Sequence, residues 1–254
     1  MRPARVTPVL LAVHGSRDPR AARATRALVR AVAAARPGVD VRASYLDHTL
    51  PRPAQALSAL EAAGHERVTL VPLLLTAAYH GRVDVPDAVR AARAAGLCLP
   101  VAVAGVLGPP AGGPVDDLLL AGLRRRLAEA GSGFDAVVLA AAGTRDAAAR
   151  QTVVRAADAL GASLGVPARV AYASAAAPTG SEAVARLLAA GAERVGVASY
   201  FLAPGLLYDT VVRSALDAGA VAAAQPLEGA AELAQLVLAR ADAADLPVLA
   251  AAAA

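Results

Sequence analysis

The sequence repeats itself, and this restricts the fold more than any other feature. Residues 14–18 (HGSRD) recur as residues 142–146 (AGTRD), and residues 62–68 (AAGHERV) recur as residues 189–195 (AAGAERV). The spacing between the two copies changes only once, by one residue, over this long stretch, which argues against a chance match. A chain of 254 residues is long enough for two modest domains. The chain is therefore interpreted as two copies of one folding unit.

Within each copy, short apolar runs alternate with helical segments, which predicts a parallel sheet covered by helices on both faces. The predicted fold class is α/β, with two duplicated doubly wound domains, each a small parallel sheet flanked by helices. The predicted strands of the first copy are Val9–Val13, Val39–Leu46, Val68–Leu75 and Leu99–Val106. The predicted helices between and after them are Ala21–Ala35, Pro53–Ala63, Val83–Ala95 and Val115–Ala130.

The repeat also suggests where the chain divides. Residues 1–130 form the N-terminal unit, residues 131–240 the C-terminal unit, and residues 241–254 an Ala-rich tail that has no counterpart in the repeat. The tail is expected to fray. The Pro- and Gly-rich segment 108–114 is the expected hinge.

Composition excludes several classes of function. All 25 basic residues are Arg and the net charge is only +4, with the arginines scattered apart from residues 124–126. Nucleic-acid binding is therefore not expected, and the 124–126 run is expected on a solvated helix face. The single Cys98 excludes an internal disulfide and is expected to be a small core residue. No secretion signal or membrane span is evident, so a cytoplasmic protein without membrane contact is expected.

Two histidines follow apolar runs directly. His14 comes after the run 9–13, and His80 comes soon after the run 68–75. Ligands of open parallel sheets bind in the crevice beyond the carboxyl ends of the strands. Neutral imidazole is the commonest protein metal ligand, so these two side chains are candidates to share one divalent metal.

The second copy of the repeat lacks both histidines. Ala142 takes the place of His14, and Leu207 takes the place of His80. Joint loss is expected when one copy of a duplicated binding site stops binding its metal. The N-terminal copy is therefore predicted to carry the active site, and the C-terminal copy to be degenerate.

Residues 11–18 (LAVHGSRD) and 71–86 (VPLLLTAAYHGRVDVP) resemble the two signature segments of the sirohydrochlorin chelatase family, and residues 45–48 (YLDH) resemble a third. The two-copy layout is similar to the long members of that family. The resemblance implies insertion of cobalt, iron or nickel into sirohydrochlorin, in siroheme or cobalamin biosynthesis. Two positions depart from the family pattern: Ala78 replaces the usual Gly and Asp47 the usual Glu.

The candidate site residues follow from strand position and resemblance together. His14 and His80 are the expected metal ligands, and one or both would also accept a pyrrole proton. Asp47 is expected to orient a histidine or to accept protons. The expected substrate-binding residues are Ser16, Arg17, Arg82 and His48. Because Arg17 and Asp18 recur in the degenerate copy, they are also expected to form a pair that caps the helix start.

Other functions are weighed against this one. A non-catalytic carrier of a divalent metal or tetrapyrrole would use the same histidines, and the sequence does not separate it from an enzyme. A histidine phosphatase is disfavoured because Val13, and not Arg, precedes His14. A dinucleotide enzyme is disfavoured because no G-x-G-x-x-G follows the first strand. The metal is expected as a substrate, no organic cofactor is implied, and either a monomer or a homodimer fits.

Overall fold

The structure is a computed structural model that describes residues 6–76 and 84–245. The strands are β1 (Val9–Val13), β2 (Val41–Tyr45), β3 (Val68–Pro72), β4 (Val101–Val103), β5 (Ala136–Ala141), β6 (Ala168–Tyr172), β7 (Val195–Ser199) and β8 (Ala222–Ala223). The helices are α1 (Pro19–Ala35), α2 (Pro53–Ala62), α3 (Val85–Ala94), α4 (Asp117–Ala130), α5 (Ala147–Leu164), α6 (Gly180–Ala189), α7 (Leu206–Asp217) and α8 (Ala231–Asp245). The predicted α/β fold class is confirmed.

The strands form two four-stranded parallel sheets with the same order. The first sheet has the order β2-β1-β3-β4, and the second has the order β6-β5-β7-β8. In the first, Val9 of β1 pairs with Val41 of β2 on one side and with Thr69 of β3 on the other. The chain order reverses between β1 and β3, which creates a crevice beyond their carboxyl ends.

Both faces of each sheet are buried. Because alternate side chains of a strand point to opposite faces, each strand contributes side chains to the core on either side of its sheet. Leu10 and Leu70 pack under α2 and α3 on the outer face of the first sheet. Val9 and Leu11 point to the inner face, into a large core shared with helices α1, α4, α5 and α8. A third core lies between the second sheet and helices α6 and α7. The sheets thus enclose one common layer of helices.

Helices α4 and α8 cross between the two halves of the chain. Helix α4 packs on α5 and on β7 and β8 of the second sheet, whereas α8 packs on α1 and on β3 and β4 of the first. The two helices also contact each other. The proposed division of the sequence at residues 130 and 240 therefore stays a proposal. Below, the N-terminal half means β1–β4 with α1–α3, and the C-terminal half means β5–β8 with α5–α7.

The arginine run at the end of α4 lies differently from the expectation. Arg125 pairs with Glu232 of α8 at 2.8 Å, and Arg126 donates to the carbonyl oxygen of Leu227 at 3.1 Å. The expectation of a freely solvated face is wrong for these two residues. Long arginine side chains lay their apolar stems along a helix interface while the guanidinium finds a partner at its rim.

The tail expectation also needs a correction. Residues 241–245 form the end of α8 and are tied to the rest of the protein. The Asp242 carboxylate accepts two hydrogen bonds from the Arg36 guanidinium of α1, each at 2.6 Å. Asp245 accepts from the Thr7 hydroxyl at 2.9 Å. These five residues do not fray, because they pack as the last turn of a helix. Residues 246–254 lie outside the described part of the chain.

Cys98 is exposed, so its expected place in the core is wrong. It lies in the turn before β4, where its N–H donates to the Glu61 carboxylate at 2.9 Å. Across residues 6–76 and 84–245, no helix has the length and apolar character to span a membrane.

Candidate active site

The first candidate histidine lies at the crevice that the strand order creates. His14 directly follows β1, which lies between β2 and β3. Beyond the sheet, the Leu46 N–H donates to the Val13 carbonyl oxygen at 2.8 Å, and the Asp47 N–H donates to the His14 carbonyl oxygen at 2.7 Å. These bonds extend the pairing of β1 and β2 and bring residues 46–48 beside His14.

Glycine at position 15 permits this close approach. Gly15 has a φ of 96°, and a Cβ atom there would lie 1.9 Å from the carbonyl oxygen of Asp47. No side chain fits in that space, and an L-residue also disfavours the positive φ. His48 has a positive φ of 60° as well. The loop after β1 and the loop after β2 are therefore tightly matched.

His14, Asp47 and His48 form a polar cluster on this edge of the sheet. The rings of His14 and His48 meet edge to face, with centroids 6.3 Å apart. One carboxylate oxygen of Asp47 accepts from the His48 N–H at 2.7 Å, and the other lies 3.5 Å from His48 Nε2. The backbone bond from His48 is the main cause that lowers the pKa of Asp47, aided by the charges of His48, Arg52 and His14. Asp47 is therefore a negative group beside two imidazoles at neutral pH.

A cavity of about 360 Å³ opens next to His14. It lies between the two halves, and its described lining residues come from both of them. The N-terminal half contributes His14, Gly15, Ser16, Tyr45, Leu75 and Thr76, among others. The C-terminal half contributes Ala142, Gly143, Thr144, Tyr200, Phe201 and Pro204, among others. The cavity is thus closed only when both halves are present.

An open groove continues from this cavity to the surface. One wall carries His14, Ser16, Arg17 and His48 from the N-terminal half. The facing wall carries Ala142, Phe201, Ala203, Gly205, Leu206 and Leu207. The groove is therefore polar and basic on one side and apolar on the other.

The start of α1 carries the cap that the sequence predicted, with a different partner for Asp18. The Asp18 carboxylate accepts from the Arg20 N–H at 2.8 Å, and its charge partner is the Arg20 guanidinium, not Arg17. Arg20 also pairs with Asp209 of α7 at 2.6 Å, which ties the two halves beside the groove. Both carboxylates raise the pKa of Arg20, so its charge is fixed. The expected Arg17–Asp18 pair is wrong, and Arg17 is exposed on the groove instead.

The C-terminal half builds the same loop without the imidazole. The Ser174 N–H donates to the carbonyl oxygen of Ala142, as Asp47 does to His14. Gly143 has a φ of 90°, and its Cβ would lie 1.9 Å from the Ser174 carbonyl oxygen. Ala175 matches His48, with a φ of 61°. The repeat therefore preserves the backbone of the loop and lacks the imidazoles of His14 and His48.

Two of the sequence-predicted site residues are not placed by the structure. His80 and Arg82 lie outside the described residues, as does Ala78. Within residues 6–76 and 84–245, no group of three His, Cys, Asp or Glu side chains is arranged to hold a metal ion. Among the described residues, the side chains at the site that could ligate a metal are those of His14, Asp47 and His48.

Comparison with known proteins agrees with the repeat. The CbiX family model matches residues 8–130 and again residues 136–244. The chain belongs to the CbiX family. The resemblance to sirohydrochlorin chelatases that residues 11–18 and 71–86 indicated is thereby confirmed, as is the long two-domain form. No curated protein sequence matches this chain significantly.

Solved structures share the fold of this CbiX-family chain. SirB from Bacillus subtilis with Fe³⁺ superposes with a TM-score of 0.77 at 19% identity, covering 92% of this chain and 94% of SirB. The sirohydrochlorin chelatase SirB from B. subtilis subspecies spizizenii in complex with cobalt gives 0.76 at 19% identity, covering 95% and 97%. The multi-domain DR2241 from Deinococcus radiodurans gives 0.62 at 19% identity, over 94% of this chain and 55% of DR2241. At these identities the likeness establishes the fold alone.

Several residues of the CbiX-family site were missed in the sequence. Arg52 immediately precedes α2, and its guanidinium lies 3.7 Å from Asp47 and donates to the Leu46 carbonyl oxygen at 2.6 Å. Leu206 and Phe201 line the groove from the other half. On the same wall of the groove, only Leu207 could be singled out from the sequence, because it is the repeat counterpart of His80. The positions of Phe201 and Leu206 in the groove depend on how the two halves meet, and the contacts of Arg52 depend on how the loop after β2 folds, and periodicity encodes neither.

Proposed function

We propose that this protein is a chelatase that inserts cobalt or iron into sirohydrochlorin, in siroheme or cobalamin biosynthesis. One observation carries the proposal: the two halves build the same loop, and only the loop beside the cavity in the N-terminal half keeps an imidazole, that of His14. Membership of the CbiX family supports the proposal. A cytoplasmic location and a monomer or homodimer are part of it.

Metal insertion makes two chemical demands. The metal must exchange its water for ligands that can release it, and two pyrrole N–H protons must leave as two metal–nitrogen bonds form. Neutral imidazoles bind first-row divalent ions and leave coordination positions open. His14 and His80 are proposed to hold the metal, and a histidine near neutral pH can also take up a pyrrole proton.

Asp47 is proposed to assist the histidines. Its carboxylate accepts the His48 N–H and lies beside the charge of Arg52, so it is held in one orientation. A carboxylate in this position stabilises a protonated imidazole and draws protons away from the macrocycle. Asp47 has a shorter side chain than the Glu that the family usually has at this position. Proton transfer is therefore proposed as its role in preference to direct contact with the metal.

The groove suits a flat, anionic macrocycle. The C-terminal wall, with Phe201, Leu206 and Leu207, offers apolar surface to the face of the ring. Arg17 and His48 on the opposite wall, together with Ser16 and Arg82, are proposed to bind the peripheral carboxylates, because guanidinium groups bind carboxylates in two-fold fashion. The Ser16 hydroxyl also accepts from the Asp18 N–H at 3.0 Å, so it shapes the turn as well.

Cobalt and iron are the proposed metal substrates, and imidazole ligands bind both. Nickel is retained as a further candidate because imidazole ligands bind it as well. The structures of SirB contain Fe³⁺ in one case and cobalt in the other.

The test is an anaerobic absorbance assay of sirohydrochlorin with the purified protein and Co²⁺, Fe²⁺ or Ni²⁺ in turn. Spectral conversion well above the protein-free rate, with many turnovers per protein, is the expected result. Binding of metal and tetrapyrrole without turnover would instead identify a carrier. Absence of both binding and conversion with every metal would overturn the proposal.

A further inference from the structure

Arg20 is a charged residue beside the groove that the proposed chemistry does not use. It lies in the first turn of α1, and its guanidinium lies between two carboxylates. Toward Asp18, Nε donates at 3.1 and 3.0 Å and Nη2 donates at 2.6 Å. Toward Asp209 of α7, Nη1 donates at 3.2 Å and Nη2 at 2.6 Å. One guanidinium therefore joins carboxylates from both halves of the protein.

The Asp18 side of this contact is fixed to one wall of the groove. The Asp18 carboxylate accepts from the Arg20 N–H at 2.8 Å, and the Asp18 N–H donates to the Ser16 hydroxyl at 3.0 Å. Ser16 and Arg17 line the groove. The turn that forms this wall therefore also holds the Arg20 guanidinium in place.

The Asp209 side belongs to the facing wall. Asp209 lies in the first turn of α7, directly after the groove-lining residues 205–208. Its N–H donates to the Gly205 carbonyl oxygen at 2.9 Å. The Tyr208 hydroxyl donates to the Ala224 carbonyl oxygen at 3.1 Å, which ties the same turn to the segment after β8. The position of the Asp209 carboxylate is therefore the position of this wall.

Capping of the helix does not explain Arg20. In the repeat, Asp146 matches Asp18, whereas Ala148 takes the place of Arg20. Asp146 accepts from the Ala149 N–H at 3.1 Å and caps α5 with no arginine at the matching position. The contact between Arg20 and Asp209 therefore calls for a reason other than the cap.

We propose that Arg20 and Asp209 are positioning residues that hold the two walls of the groove at a fixed separation, so that a flat macrocycle contacts both walls at once. The inference rests on the proposed function, in which the macrocycle is sirohydrochlorin. A site whose walls are fixed before the ligand arrives avoids the entropic cost of ordering them on binding. Neither Arg20 nor Asp209 touches the substrate in this account.

The variant Asp209→Asn tests this, because positioning and charge predict opposite results. Sirohydrochlorin carries carboxylates, so the loss of a negative group beside the groove would strengthen its binding through charge alone. Release of the wall weakens binding instead, because the arrangement that fits the macrocycle becomes less populated. We expect sirohydrochlorin affinity, measured by equilibrium titration without metal, to fall about fivefold. The KM for sirohydrochlorin should rise in parallel, while kcat stays within about twofold of wild type.

Asp242→Asn is the matched control. Arg36 directly follows α1, at the end opposite to Arg20, and donates from both terminal nitrogens to Asp242 of α8, each at 2.6 Å. This pair also ties α1 to another helix through a two-fold contact between Arg and Asp, but neither residue lines the groove. We expect Asp242→Asn to bind sirohydrochlorin with wild-type affinity.

Hydrogen exchange of the protein without ligand provides a second measurement. When the wall is released, the backbone of residues 203–212 should open more often. Asp209→Asn should therefore exchange its amide hydrogens in this segment at least about threefold faster than wild type. Asp242→Asn should exchange them there at the wild-type rate.

The outcomes separate this inference from the proposed function. Unchanged or tighter sirohydrochlorin binding by folded Asp209→Asn, or an equal loss in Asp242→Asn, would overturn the role of the pair. If Asp209→Asn does not fold, unchanged affinity in folded Arg20→Gln overturns it equally. Wild-type protein that binds sirohydrochlorin but inserts no metal would end the chelatase proposal, and the affinity comparison would still decide the role of the pair. If wild-type protein binds no sirohydrochlorin, the proposed function fails, and unchanged exchange of residues 203–212 in Asp209→Asn would overturn the positioning role as well.

Discussion

A Cβ atom at Gly15 would lie 1.9 Å from the carbonyl oxygen of Asp47, so that this glycine and this carbonyl group are in mutual contact. Gly143 and Ser174 stand in the same relation in the other half, at the same distance. The two loops after β1 and β5 are therefore under one steric constraint, although only one of them carries a histidine. The steric constraint belongs to the fold, because it is present in the copy that lacks the histidine as well.

The matched glycines make a prediction about fold and function. Gly15→Ala and Gly143→Ala should each destabilise the protein by about 2 kcal/mol or more, because each introduces a clash and an unfavourable positive φ. Only Gly15→Ala should also weaken metal binding, since it separates His14 from Asp47. Denaturant unfolding and Co²⁺ titration measure the two effects.

For that pair, equal loss of Co²⁺ affinity in folded Gly143→Ala would show that the second loop also takes part in metal binding. Unchanged affinity in Gly15→Ala would show that the spacing between His14 and Asp47 does not matter to the metal.

The apolar wall of the groove can be tested at Leu207, which stands where the repeat has His80. Leu207→Ser should raise the KM for sirohydrochlorin about five- to tenfold, because contact with the macrocycle would cover less apolar surface. Co²⁺ affinity should not change. Steady-state kinetics at saturating metal, with a separate metal titration, provides both values.

Leu216 offers a control on the same helix. Leu207 and Leu216 are both 41% exposed, but only Leu207 lines the groove. Leu216→Ser should therefore leave the KM for sirohydrochlorin at the wild-type value. If the two variants behave alike, the C-terminal wall does not contact the substrate.

Much of the scaffold could be predicted from the sequence. The apolar runs ending at Val13 and Leu75 are short and continuous because both faces of each sheet are buried, and this gives a strong local signal, although the strand itself ends earlier, at Pro72. The repeat showed that the second half shares the fold and lacks the histidines. The position of His14 at the carboxyl end of β1 follows from these two facts alone.

Other features could not be predicted, because they depend on how distant segments pack. The sequence predicts α4 as a helix but does not show that α4 packs on the second sheet and α8 on the first. The bond from Tyr200 to Leu75 joins residues 125 positions apart. The sequence likewise does not predict the acidic partner of Arg20 on α7, since the acidic residue nearest to Arg20 in the sequence is Asp18.

The crossing of α8 has a consequence for acid stability. Asp242 of α8 bonds to Arg36 of α1, and that bond lowers the pKa of Asp242. A lowered pKa means that the pair stabilises the folded state above the ordinary Asp value of about 3.9 and that this contribution is lost as the pH falls through the folded pKa. Because the Asp242 side chain is 57% exposed, the contribution is screened and should stay below about 1 kcal/mol.

Asp242→Asn should therefore lower the free energy of unfolding slightly at neutral pH and lower it by less near pH 2, because the wild-type carboxyl group takes up a proton as the pH falls through its folded pKa. Urea unfolding of both proteins at the two pH values measures the difference. A difference that persists undiminished in acid would show that Asp242 acts through packing and not through its charge.

We propose that His14 carries the metal chemistry of the protein, and the rate of Co²⁺ insertion into sirohydrochlorin by His14→Ala tests this. The control is His65→Ala. His65 lies before β3, at the opposite end of the sheet, where its Nε2 is 3.1 Å from an Asp40 oxygen and its side chain is 15% exposed. We expect His14→Ala to stay folded and to lose activity at least about 100-fold, whereas His65→Ala should lose only about 1 kcal/mol of stability. Full activity in folded His14→Ala would contradict it.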